Sequence, residues 1–179
     1  GRPDQPLRLL PLYLRLQQQM PVDELSQSDA VAPALFLPDL ARRAPRRDAA
    51  TVVNDPQAKQ MRLKAARLAF ERGLAKWAQH EVAGLRDMRH SITIIESLQA
   101  TEPARTFWWI TLAWMDALVL GGNNDADAAR RLSERLDAQV HRALDGAQAV
   151  SEQLMRDVLY GIATASASNE HIEQVRVVF

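Results

Sequence analysis

Residues Thr101 to Gly122 read TEPARTFWWITLAWMDALVLGG. This stretch holds three of the chain's four tryptophans and, after Arg105, one charge, Asp116. It constrains the fold more than any other part of the chain. A membrane-crossing helix needs about 20 apolar residues. Here only fourteen run from Phe107 to Leu120, and Asp116 interrupts them. A charge near the middle of a lone span costs roughly 2.5–3.5 kcal/mol. Thr101 is a good helix N-cap, Pro103 suits a first turn, and Gly121-Gly122 suit a stop. The segment therefore predicts a helix of an aqueous protein. Trp108, Trp109 and Trp114 point around that helix rather than to one side, which argues against an aromatic cofactor box. A helix apolar on nearly every side must be enclosed by other elements. Asp116, in line with Arg105, Trp109 and Leu112, then needs a partner from elsewhere in the chain: a basic side chain, an indole N–H or a helix N-terminus.

Those surrounding elements read as helices too. Glycine is scarce, at 7 of 179 residues, and no alternating strand pattern with hairpin turns stands out. Helical spacing predicts helices over 6–19, with Pro11 at a kink or late start, and over 22–30. Asp55 and Pro56 open another, with a stripe of Leu63, Ala66, Phe70, Leu74 and Trp77. Gly84 sits near a break, and Leu85, Met88, Ile92 and Ile95 form the next stripe, opposite Arg86, His90, Thr93 and Ser97. Asn124 or Asp125 caps a helix striped by Ala129, Leu132, Leu136 and Val140 and ending near Gly146. A helix over about 149–165 follows, and Ser168 is expected to cap a last one over HIEQVRVVF. Residues 31–55, with three prolines and four arginines but also Leu35, Phe36, Leu37 and Leu40, read as an extended, ordered loop. The expectation is one all-α domain over 1–179, an antiparallel bundle of about seven helices. With Gly1 in place of an initiator Met, the chain is expected to be a fragment of a longer protein.

Several chemistries are disfavoured. Lys plus Arg and Asp plus Glu both number 22, so no basic excess favours nucleic acid. No cysteine is present, which removes disulfides, thiol catalysis and thiolate metal sites and fits a reducing compartment. There is no H-E-x-x-H, glycine-rich phosphate loop or nucleophile-elbow pattern, so no catalytic, metal or cofactor site is expected. The cluster ARRAPRR (41–47) reads as a solvated loop before it reads as an acidic-partner site. Asp116 has no second carboxylate or histidine at a spacing suited to acid catalysis.

Helical bundles in signalling often carry a phosphorylatable histidine in the form H-x-x-K-G, where the lysine offsets phosphate charge and the glycine admits a receiver domain. His80 begins HEVAG, with Gly84 in place but Ala83 where the lysine belongs. His90 begins HSITI, His141 HRALD and His171 HIEQV. None matches, and His80 is the nearest miss.

Taken together, ALFLPDLARRAP (34–45), RLAFERGLAKW (67–77), GLRDMRHSITIIESLQ (84–99), ARTFWWITLAWMDAL (104–118), VSEQLMRDVLYGIATA (150–165) and VRVVF (175–179) resemble one family in order and spacing. It comprises the N-terminal regions of ChpA/PilL-type chemotaxis hybrid histidine kinases and the stand-alone FimL-type regulators of type IV pilus twitching motility. The resemblance runs from about residue 7 to the end. It implies a cytoplasmic, helical module akin to histidine phosphotransfer (Hpt) bundles, with no phosphoacceptor to carry over. The implied role is non-catalytic: a protein-interaction or scaffolding part beside receiver domains or polar scaffold proteins, with no membrane or nucleic-acid partner. The parent would be a hybrid histidine kinase or a stand-alone regulator. Two competing readings remain, an active phosphotransfer domain using His80 and a helical enzyme with an unrecognised site.

Overall fold

A computed structural model describes residues 55–147 and 149–179, and within them the chain is all-α, with six helices and no strand. They are α1 (Pro56–Ala78), α2 (Ala83–Ser97), α3 (Glu102–Val119), α4 (Ala126–Leu144), α5 (Glu152–Thr164) and α6 (Glu170–Val178). The helices expected over 6–19 and 22–30, the ARRAPRR cluster and the 31–55 loop up to residue 54 lie outside the described residues.

Most helix starts were written locally. Asp55 Oδ1 accepts from the Gln57 N–H at 2.9 Å, with Pro56 at the first helical position. Thr101 Oγ1 accepts from the Ala104 N–H at 3.4 Å. Of the two candidates before α4, Asp125 is the cap, its Oδ1 accepting from the Ala128 N–H at 2.9 Å. Each cap satisfies a backbone donor that the first turn leaves open. At the far end of α3, Gly121 adopts φ 72°, and the N–H groups of Gly121 and Gly122 return to the Leu118 and Ala117 carbonyls at 3.0 and 2.9 Å. That is the left-handed stop expected of the glycine pair.

Two starts differ from expectation. The fifth helix begins at Glu152, where Ser151 Oγ accepts from the Leu154 N–H at 3.1 Å, rather than near 149. The last helix is capped by Asn169, whose Oδ1 accepts from the Ile172 N–H at 2.8 Å. Ser168 instead donates its hydroxyl to Glu173 Oε1 at 2.8 Å. Both residues are good caps by type.

The apolar stripes meet around α3. Residues 104 and 106–118 of α3 are all buried, so this helix is enclosed on every side. It packs against α2, α5 and α6, while α1 lies on α2 and α4, and α4 reaches α5. Leu85, Met88, Ile92 and Ile95 of α2, Leu132, Leu136 and Val140 of α4, and Leu154, Val158 and Ile162 of α5 join Phe107, Trp108, Ile110 and Met115 in one core. Leu74 and Trp77 sit at its margin, only partly buried. Among the described residues, no helix is long and apolar enough to cross a membrane.

Candidate functional site

Asp116 is the chemical anomaly of α3, and the structure supplies its partners from two directions. Its side chain is 6% exposed. Nε–H of Arg89, from α2, donates to Oδ1. On the other side, His171 Nδ1 lies 3.3 Å from Oδ2, from the first turn of α6. Asn169, the α6 cap, stands near enough to the same carboxylate to help lower its pKa. One carboxylate therefore ties α2, α3 and the start of α6 together. The need for a donor was legible in the sequence. The donors' identities were not, because Arg89 lies 27 residues before Asp116 and His171 lies 55 after it.

The electrostatics follow. Burial alone would push the Asp116 carboxyl up, but hydrogen bonds from His171, Arg89 and Asn169, with the Arg89 charge, outweigh it and bring the group from 3.8 down to about 2. An acid of that strength is ionised at neutral pH and has no proton to give, which removes general-acid chemistry from Asp116. The His171 ring lies against Trp109, with centroids 5.1 Å apart and planes tilted by 38°. Its Nε2 is enclosed and meets no hydrogen-bond partner, so no hydroxyl stands where a nucleophile would have to be. The Asp–His pair is a structural junction rather than part of a catalytic triad.

A second polar element fixes the other end of α6. Arg176 donates from Nη2 to the carbonyls of Ile162 and Ala165 at 2.8 and 2.7 Å, and from Nε to Ile162 at 3.2 Å. Its Nη1 pairs with Glu173 Oε1 at 2.8 Å. The last carbonyls of α5 have no partner within their own helix, and this guanidinium takes that place. Sequence reasoning missed it: VRVVF shows an arginine in a last turn and nothing of what it meets. Arg176→Ala is expected to cost about 1.5–2.5 kcal/mol, since buried carbonyls would be left bare. Arg176→Lys should recover only part, because a single ammonium cannot reproduce the fork. Urea denaturation of the three proteins measures this.

Between α1 and α4 the balance runs the other way. Arg67 pairs with Glu71 and reaches Asp137 Oδ2 at 3.8 Å. Burial raises the Asp137 pKa, and Arg67 offsets this only in part. Asp137 Oδ1 is enclosed without a hydrogen-bond partner. A carboxylate whose pKa rises on folding weakens the fold once it is ionised. Asp137→Asn should thus leave the melting temperature unchanged or raise it by a few degrees at pH 7, with the gain disappearing at mildly acidic pH. A fall of several degrees at pH 7 would contradict this account.

The histidines can now be placed. His80 is exposed and lies in the turn after α1, with φ 65°, rather than on a helix face. Gly84, the one motif residue it shared with H-x-x-K-G, is buried in the first turn of α2 against α1. A Cβ on Gly84 would stand 2.3 Å from the Gly73 carbonyl oxygen and 2.7 Å from the Trp77 nitrogen. The glycine is thus committed to a helix crossing inside the molecule. Lys76, one turn before His80, is bound to Asp87 of α2 at 2.6 Å. His90 is exposed on the polar face of α2 and His141 in the last turn of α4. Only His171 enters the core. Among the described residues, no group of three or more potential metal ligands converges.

What fold and site define is an all-helical domain, held by a buried carboxylate hub and an arginine cap, with no group of three or more potential metal ligands among the described residues. The family model of the FimL scaffold protein second domain matches residues 55–179, which is 125 of the chain's 179 residues. The chain belongs to this FimL scaffold family. Comparison with curated proteins and with solved structures returned no match.

Proposed function

We propose that the chain is a non-catalytic protein-interaction module of a chemosensory signalling protein that controls type IV pilus motility. In this reading it is a degenerate Hpt-like bundle in the cytoplasm, related to the N-terminal regions of ChpA/PilL-type kinases, and its partners are receiver domains or polar scaffold proteins. Membership of a scaffold family supports the interaction role. The observation that carries the degenerate reading is the fate of HEVAG: its glycine closes an internal helix crossing and its histidine occupies a left-handed turn position. A phosphohistidine there would lack the motif's lysine, since position 83 is alanine.

The competing reading, phosphotransfer through His80, is tested directly. The full chain is incubated with its cognate kinase and labelled ATP, and acid-labile label is measured on wild type and on His80→Gln. The expected result is no label above background on either protein. Label on wild type that disappears in His80→Gln would overturn the proposal.

A further inference from the structure

The most unusual surface among the described residues is the outer face of α1. Helix α1 carries six cationic residues and a single anion, Glu71, in a chain whose total charge is zero. Glu71 is engaged by Arg67. Arg62, Lys64 and Arg72 are exposed and have no ion-pair partner among the described residues. Between them, at i, i+4 and i+7, stand Met61, Ala65 and Leu68, with Met61 71% and Leu68 54% exposed. The buried face of the same helix, Leu63, Ala66, Phe70 and Gly73, lies on the opposite side and is already used. An apolar row at helical spacing, flanked by cations that meet no anion among the described residues, is the complement of a helix with its own apolar row and acidic flanks.

We propose that the outer face of α1 is a docking surface for an acidic amphipathic helix of a partner protein. This rests on the protein-interaction reading above and names the surface and chemistry it uses. Charge favours this occupant over a second copy and over a lipid surface. A symmetric second copy would set Arg62, Lys64 and Arg72 against like charges at its own interface. A lipid surface would take the cations, but two large aliphatic side chains without an aromatic give little to bury in the acyl boundary. An acidic helix satisfies both the apolar row and the cations.

The test uses the full chain in the cells that naturally carry it, with p-benzoylphenylalanine replacing Leu68 and, in a separate protein, Tyr160 on the exposed face of α5. Crosslinked products are identified by peptide mass spectrometry. The expected adduct at position 68 joins a net-acidic partner segment with apolar residues at three- and four-residue spacing. Its yield should fall at least about ten-fold in the Arg62→Glu, Arg72→Glu double variant, whose thermal melting should match wild type because both sites are exposed. An adduct to a second copy, to lipid or to this chain's own residues would overturn the proposal, as would an adduct insensitive to the charge reversal. If position 68 captures nothing while position 160 captures a protein, the α1 surface is wrong and the interaction reading stands. Capture at neither position would remove both.

Discussion

Asp116→Ala should lower stability by about 3–5 kcal/mol, the usual consequence of removing one member of a buried, hydrogen-bonded charge pair. The loss has an identifiable source. Arg89 and His171 both aim nitrogens at this one carboxylate, and its removal strands them while opening a gap beside His171. For a domain of this size the melting temperature should fall by on the order of 10 °C. Arg89→Ala should cost less than Asp116→Ala, because the Arg89 side chain is 42% exposed and Asp116 keeps its contact with His171. A double-mutant cycle between the two positions isolates their coupling. Equal costs for the two single substitutions, with no coupling, would show that the junction described here does not hold.

The same group gives the fold an acid limit. Its pKa falls from 3.8 to about 2 on folding, so the ionised form is the one the native state favours. The stabilisation is complete above pH about 3.8 and is lost as pH falls through about 2, a swing of about 2 kcal/mol. Asp116→Asn should remove that part of the pH dependence while leaving volume nearly unchanged. Denaturant midpoints measured between pH 5 and pH 2 would show wild type declining more steeply than the variant over the lower half of that range.

How much of this was legible beforehand depended on the range of the interaction. Asp55, Thr101 and Asp125 announced their helices because a cap acts within three residues of itself. The enclosure of α3 followed from its composition. Asp116 was legible as a need but not as a contact, since nothing local records that Arg89 and His171 converge on it. The last cap was misassigned by one residue: Ser168 and Asn169 are both good caps by type, but Asn169 takes the Ile172 N–H while Ser168 turns to Glu173. Arg176 was invisible because the carbonyls it caps belong to another helix. The α1 surface was likewise hidden, since periodicity reports which side of a helix is apolar but not which apolar residues find no neighbour.

Gly84→Ala should destabilise the domain by about 2–3 kcal/mol, although alanine is the better helix former by about 1 kcal/mol. The added methyl would stand 2.3 Å from the Gly73 carbonyl oxygen and 2.9 Å from Lys76 Cβ. The closest obstacle is main chain, so no rotamer change relieves it, and α1 must move off α2. Gly73→Ala meets the Gly84 carbonyl oxygen at 2.7 Å across the same crossing and should cost a comparable amount. The two changes should add to less than their sum, because once α1 has been displaced the second methyl finds the gap already open. This separates the packing role of Gly84 from the motif role that HEVAG invites. A glycine kept for the approach of a receiver domain would face solvent, and alanine there would leave the melting temperature unchanged or slightly raised. A loss of several degrees, matched by Gly73→Ala, places the requirement inside the molecule, where His80 has no part in it.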